Sequence, residues 1–152
     1  MLFEENKIIW DSEFKTIKHI DLVNWFKKIP KKWINDIPNF YVKYLWNDPE
    51  INTEGFFSED EDKYVIYLKE ISSKKEIKYV FYHEVGHLIW RFLSKKQKDE
   101  FIANIDECDI LQAKDCLRKN PYWDYEQTCK NFYNEIFAWK FAESMENEGK
   151  RI

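Results

Sequence analysis

The segment Tyr79–Leu93 is apolar or aromatic at nearly every position, yet it carries two histidines, a glutamate and an arginine. A helix that is apolar all round is buried between other layers. An unpaired carboxylate or imidazole in such a place is costly unless something compensates. This conflict constrains the chain more than any other feature, and the spacing of the polar residues suggests how it is resolved. His83 and His87 are four apart, so they project from one face, one turn above the other. Two imidazoles so placed can bind one tetrahedral Zn²⁺. Glu84 lies about 100° around the helix from His83, too far round to join that pair comfortably. It can instead reach a water on the metal, whose lowered pKa lets a neighbouring carboxylate take its proton. His83-Glu84-Val85-Gly86-His87 is thus an H-E-x-x-H pattern with a mechanical reading. Gly86 costs the helix about 1 kcal/mol relative to alanine, which points to a second backbone approaching closely there. His19, the third histidine, is far upstream and is assigned no role.

A catalytic zinc takes three protein ligands and keeps a fourth position open. No histidine follows His87, so an acidic residue is expected, with the cysteines behind. Position 90 is Trp where the extended metzincin pattern has Gly. Glu135 is the favoured third ligand. Ala138 and Ala142 share its helical face and keep that face low against the active-site helix. Glu107 is the alternative, but it stands among Asp106 and Asp109, where carboxylates repel one another unless solvated.

The rest of the chain reads as α+β. A helix is expected over 19–29, stopped by Pro30, with a short turn over 31–37. Strands are expected at 40–46, 55–57 and 64–68, with an acidic turn over 58–62 between the last two. The long helix over 75–93 follows. Exposed helices are expected over 95–104 and 107–118, and a final helix over about 126–147. No linker or repeat divides the sequence, so residues 1–152 are expected to form one domain. The fold expected is a small mixed sheet, the buried helix carrying the motif, and a C-terminal helical lobe.

Composition removes several function classes. The net charge of −4 is spread over many charges of both signs, and Lys27–Lys32 (KKIPKK) reads as a solvated helix end, so no nucleic-acid partner is expected. No apolar run nears the ~18 residues of a membrane span. The acidic start MLFEENKIIW lacks a signal peptide's basic and apolar parts, and a cytoplasmic protein is expected. Cys108, Cys116 and Cys129 are odd in number without C-x-x-C spacing, as befits thiols in a reducing compartment.

With these residues placed, the chain resembles the gluzincin-type zinc metallopeptidases. Within them it is similar to the family of the anthrax lethal factor C-terminal catalytic domain. HEVGH at 83–87 and Glu135, Ala138 and Phe141 (E-x-x-A-x-x-F) carry the likeness, together with the preceding helix, strand, Gly-aromatic-aromatic and YVIYL layout. The resemblance covers about residues 20–147. It implies a zincin-like fold and zinc-dependent endopeptidase activity on a peptide or protein lying along an edge strand. It also implies Glu84 as base and His83, His87 and Glu135 as ligands. Such enzymes often place a tyrosine seven residues before the glutamate ligand to stabilise the oxyanion. Here that residue is Thr128, which leaves Tyr125 and Tyr133 as candidate donors. A second likeness is to ImmA/IrrE-type metallopeptidases, which share HExGH and a glutamate-alanine helix and often act on repressors. The Thr128 departure also suggests a different class, a catalytically weak zincin used as a binding or regulatory protein of a toxin system or repressor circuit.

Overall fold

The computed structural model describes residues 8–10, 14–44, 55–60, 63–69, 73–118 and 125–146, with backbone only at 9, 10, 44, 56, 60, 113, 116–118 and 125–131. The strands are β1 (Ile8–Trp10), β2 (Phe40–Tyr44), β3 (Gly55–Asp60) and β4 (Lys63–Leu68). The helices are α1 (His19–Lys27), α2 (Lys31–Ile34), α3 (Lys74–Phe92), α4 (Lys95–Ala103), α5 (Glu107–Arg118) and α6 (Tyr125–Glu146).

The sheet runs β1-β2-β4-β3. β1, β2 and β4 are parallel, and β3 pairs antiparallel to β4 at the edge. Parallel neighbours need a crossover, and α1 and α2 supply the one between β1 and β2. From β2 the chain skips a position to lay down β3, then returns as a hairpin to fill the gap with β4. Asp60 pairs with Lys63 where the hairpin closes.

One element is new here and one expectation is corrected. β1 was not anticipated, because three apolar residues are too short for a periodic signal. β3 extends to Asp60, over residues 58–60 of the 58–62 stretch expected to be an acidic turn, of which 61–62 lie outside the described residues. Charged residues such as Glu59 and Asp60 are common on an edge strand.

Local chemistry sets the helix limits. Pro30 has no N–H to continue α1 and serves as the N-cap of α2. Asp21, in the first turn of α1, accepts from the Lys18 N–H at 2.8 Å and pairs with Lys74 Nζ at 2.9 Å, tying the start of α1 to the start of α3. Ser73 caps α3 by accepting from the Glu76 N–H. Ser94 and Gln97 form a reciprocal capping box on α4.

The core lies between the sheet, α1, α3 and α6. Leu22, Phe26, Phe40, Val42, Ile66, Leu68, Phe81, Tyr82, Val85, Phe137 and Phe141 are all fully enclosed. Burying side chains of this size contributes about 1.5–3 kcal/mol each, enough to fix α3 against its neighbours. The buried Tyr82 hydroxyl donates to the Trp25 carbonyl at 2.8 Å, so even this polar atom is satisfied. Glu135 lies beside His87, Ala138 beside Gly86, and Phe141 beside Tyr82. Numbers rise along α6 as they fall along α3, so the two helices are antiparallel. A Cβ built on Gly86 would stand 2.9 Å from Ala138 Cα. The missing side chain there is what lets α6 approach, as the sequence suggested. A mixed α+β fold with a small sheet, a buried motif-bearing helix and a C-terminal helical lobe is a zincin-like architecture.

Candidate metal centre

Helix α3 places His83, Glu84 and His87 together at its middle, with donor atoms all within 4.8 Å of one another. The two imidazole Nε2 atoms face each other at 3.2 Å. From α6, Glu135 brings Oε1 to 3.0 Å from His87 Nε2 and Oε2 to 3.6 Å from His83 Nε2. Glu84 stands further off, with Oε1 3.9 Å from His83 Nε2. The carboxylate nearest both rings therefore comes from α6, across the contact that Gly86 permits.

Asn134 defines the chemistry of this cluster, and sequence reasoning passed over it. Its Oδ1 lies 2.8 Å from His87 Nδ1. An amide oxygen only accepts, so Nδ1–H donates, and a neutral His87 then carries a lone pair on Nε2. That lone pair faces the Glu135 carboxylate and a second imidazole nitrogen. These atoms, within 3.6 Å of one another, need a proton or a metal ion among them to offset the repulsion of their lone pairs. In the metal-free protein the cation is a proton. Burial drives the His87 pKa down, but the hydrogen bond to Glu135 and the charges of Glu84 and Glu135 overcome this and raise it to about 9. Burial likewise works to raise Glu135, yet its hydrogen bonds to His83 and His87 hold it well below the usual carboxylate range.

A zinc ion satisfies the same donors. Bonds of about 2.0–2.1 Å in a tetrahedron put ligand atoms about 3.3 Å apart. The observed separations of 3.0, 3.2 and 3.6 Å bracket that value. Two histidines and a carboxylate here are geometrically compatible with zinc.

Glu84 is 5% exposed. Its Oε2 is fully enclosed and has no hydrogen-bond partner among the described residues. Burial raises its pKa, His87 and His83 oppose the rise, and Glu135 adds to it. A buried carboxylate oxygen without a partner is costly to maintain, and such orphans concentrate where chemistry is done.

The remaining expected residues are placed as follows. Glu107 is exposed in the first turn of α5, near Asp109, whose N–H bonds to Asp106 Oδ1 and whose carboxylate pairs with Lys140. Tyr133 is 37% exposed and its ring packs on Phe132. It stands two positions before Glu135, about 200° of helix, so it leaves α6 on the opposite side. The side chains of Tyr125, Thr128, Cys116 and Cys129 lie outside the described residues, and Cys108 is an exposed free thiol. His19 Nε2 approaches the Ile8 carbonyl at 3.1 Å, tying α1 to β1. Among the described residues no helix is long and apolar enough to cross a membrane.

Compared with known proteins, the chain matched no family model and no curated protein. The buried His83, Glu84 and His87 on α3 form an HExxH zinc-binding motif of the general zincin type, in a fold of matching architecture.

Proposed function

We propose that this protein is a single-domain, zinc-dependent endopeptidase in which His83, His87 and Glu135 hold the metal and Glu84 is the general base. The observation that carries this reading is the convergence of two imidazole Nε2 atoms and the Glu135 carboxylate from two helices, beside the buried Glu84 carboxylate, whose Oε2 has no partner among the described residues. Zinc, when bound, supplies Lewis acidity, polarising a carbonyl and bringing the pKa of a water towards neutrality. Asn134 fixes the tautomer of His87 so that Nε2 remains a donor, as partners of metal-binding histidines do. Glu84 moves the proton. Its carboxylate would accept from the attacking water and return the proton to the leaving amine nitrogen. Burial, by raising the Glu84 pKa, brings the group towards the range where it can do both near neutral pH.

Among the described residues β3 pairs with β4 alone, and an extended peptide would lie along its outer side by strand addition. The likeness to the family of the lethal factor catalytic domain supports a protein or peptide as substrate. Thr128, standing where that group often has a tyrosine, favours a second reading as a weakly active zincin that binds or regulates a partner.

A peptide-library cleavage assay on wild type and Glu84→Gln, with and without chelator, separates the two. The enzyme reading expects chelator-sensitive cleavage that falls ~10²-fold or more in Glu84→Gln while zinc content stays unchanged. Chelator-insensitive cleavage, or none from zinc-loaded wild type, overturns it.

A further inference from the structure

The two histidines of the cluster are held in different ways. His87 is oriented by a hydrogen bond at Nδ1. The polar contacts of His83 among the described residues all fall on Nε2. Its ring is nevertheless enclosed on two sides. It meets His87 edge-on, centroids 4.9 Å apart at 81°, and it lies against Trp139, centroids 6.5 Å apart at 42°. Trp139 follows Glu135 by four residues on α6, so it shares the face that carries the carboxylate. It is half-buried and places an aromatic ring beside His83.

A terminal imidazole torsion has a broad, roughly two-fold profile and does not orient itself. Among the described residues no acceptor engages His83 Nδ1, which leaves its orientation to packing. Ring contacts at these distances are directional enough to set it. We infer that Trp139 is the positioning residue for His83, holding by ring packing the orientation that Asn134 gives His87 by a hydrogen bond. This rests on the zinc reading above for its consequence in metal affinity, but the ordering of the His83 ring exists without metal. A single α6 segment, 134–139, would then contribute a carboxylate and both histidine supports, so loss of α6 packing would disorder all three together.

The test uses wild type, Trp139→Ala, Trp139→Phe and Trp139→Leu, with Trp33→Ala as a packing control. Trp33 meets Phe137 edge-on at 5.5 Å in the same core. Two quantities are read: zinc affinity by chelator competition, and the imidazole ¹H–¹⁵N resonances of His83 and His87 in metal-free and zinc-loaded protein. Trp139→Ala should weaken zinc about tenfold, at the lower end of what loss of a ligand-orienting partner costs. It should broaden or double the His83 resonances while leaving those of His87 sharp. Trp139→Phe should restore affinity to within about threefold of wild type, with Trp139→Leu between, which keeps the test decisive if the alanine variant does not fold. Trp33→Ala should lower the melting temperature without a His83-selective change. Sharp His83 signals with affinity within twofold of wild type in Trp139→Ala, or Phe no better than Leu, would overturn the inference. If wild type itself takes no zinc, the proposed function fails, and the His83 resonances of the metal-free variants still decide the role of Trp139.

Discussion

Gly86→Ala probes the contact on which the site depends. In an exposed helix this change adds about 1 kcal/mol of stability. Here the new methyl would sit 2.9 Å from Ala138 Cα and 3.3 Å from Ala138 Cβ. Carbon atoms in contact prefer about 3.5–4.0 Å, so α3 and α6 must part locally by about 0.6–1 Å. The obstacle is backbone, which cannot swing aside as a long side chain would. Overpacking of this kind costs about 1–3 kcal/mol, so the net effect is a loss of roughly 0–2 kcal/mol. The functional effect is larger than the stability effect. Glu135 rides on α6 and the histidines on α3, and the 3.0 Å from Glu135 Oε1 to His87 Nε2 would stretch towards 4 Å. Metal–ligand distances tolerate only about ±0.2 Å, so zinc affinity should fall at least tenfold. Denaturant titration of metal-free protein and chelator competition for zinc read the two effects separately. A variant stabilised by about 1 kcal/mol with unchanged zinc affinity would refute the reasoning.

Other consequences follow from the same geometry. Zinc at a hundredfold excess over its dissociation constant adds about 2.7 kcal/mol to the native state, so chelation should lower the melting temperature by about 5–10 °C; an unchanged value in scanning calorimetry contradicts a zinc site in the fold. The pH dependence has a definite sign. His87 is raised from 6.5 to about 9, so its contribution in metal-free protein is full below pH 6.5 and is lost as pH rises through 9. Glu135 is lowered, so its contribution is present above its ordinary pKa of 4.5 and is lost as pH falls below that. Zinc competes with the His87 proton, so its affinity should climb between pH 6.5 and 9, and a flat profile in chelator competition counts against the His87–Glu135 pair.

Much of this was legible because strong physical conflicts leave marks in a sequence. Two histidines and a glutamate in an otherwise apolar helix have few explanations, and α3 was readable for that reason. Glu135 stood out through Ala138 and Ala142 on its face, and the small size of Ala138 is needed where α6 meets Gly86. Asn134 left no such mark, because a lone amide before an acid resembles any solvated helical pair until the His87 ring is seen beside it. Trp139 was hidden among the many aromatics, all of which the core could claim. β1 and the acidic half of β3 were missed because both are held by pairing to β2 and β4 rather than by residue pattern. Strand propensity is weak evidence against that tertiary context. The candidate donor Tyr125 and the Thr128 position fall among side chains outside the described residues, so that part of the reading rests on sequence.

The most direct test of the central claim is zinc retained after dialysis against a weak chelator, measured for wild type, Glu135→Ala and Glu107→Ala. Glu135 approaches both Nε2 atoms across the α3–α6 contact, whereas Glu107 is exposed on α5. Wild type and Glu107→Ala should keep close to one zinc per chain, and Glu135→Ala should lose most of it. If Glu107→Ala loses the metal while Glu135→Ala keeps it, the proposed ligand set is wrong.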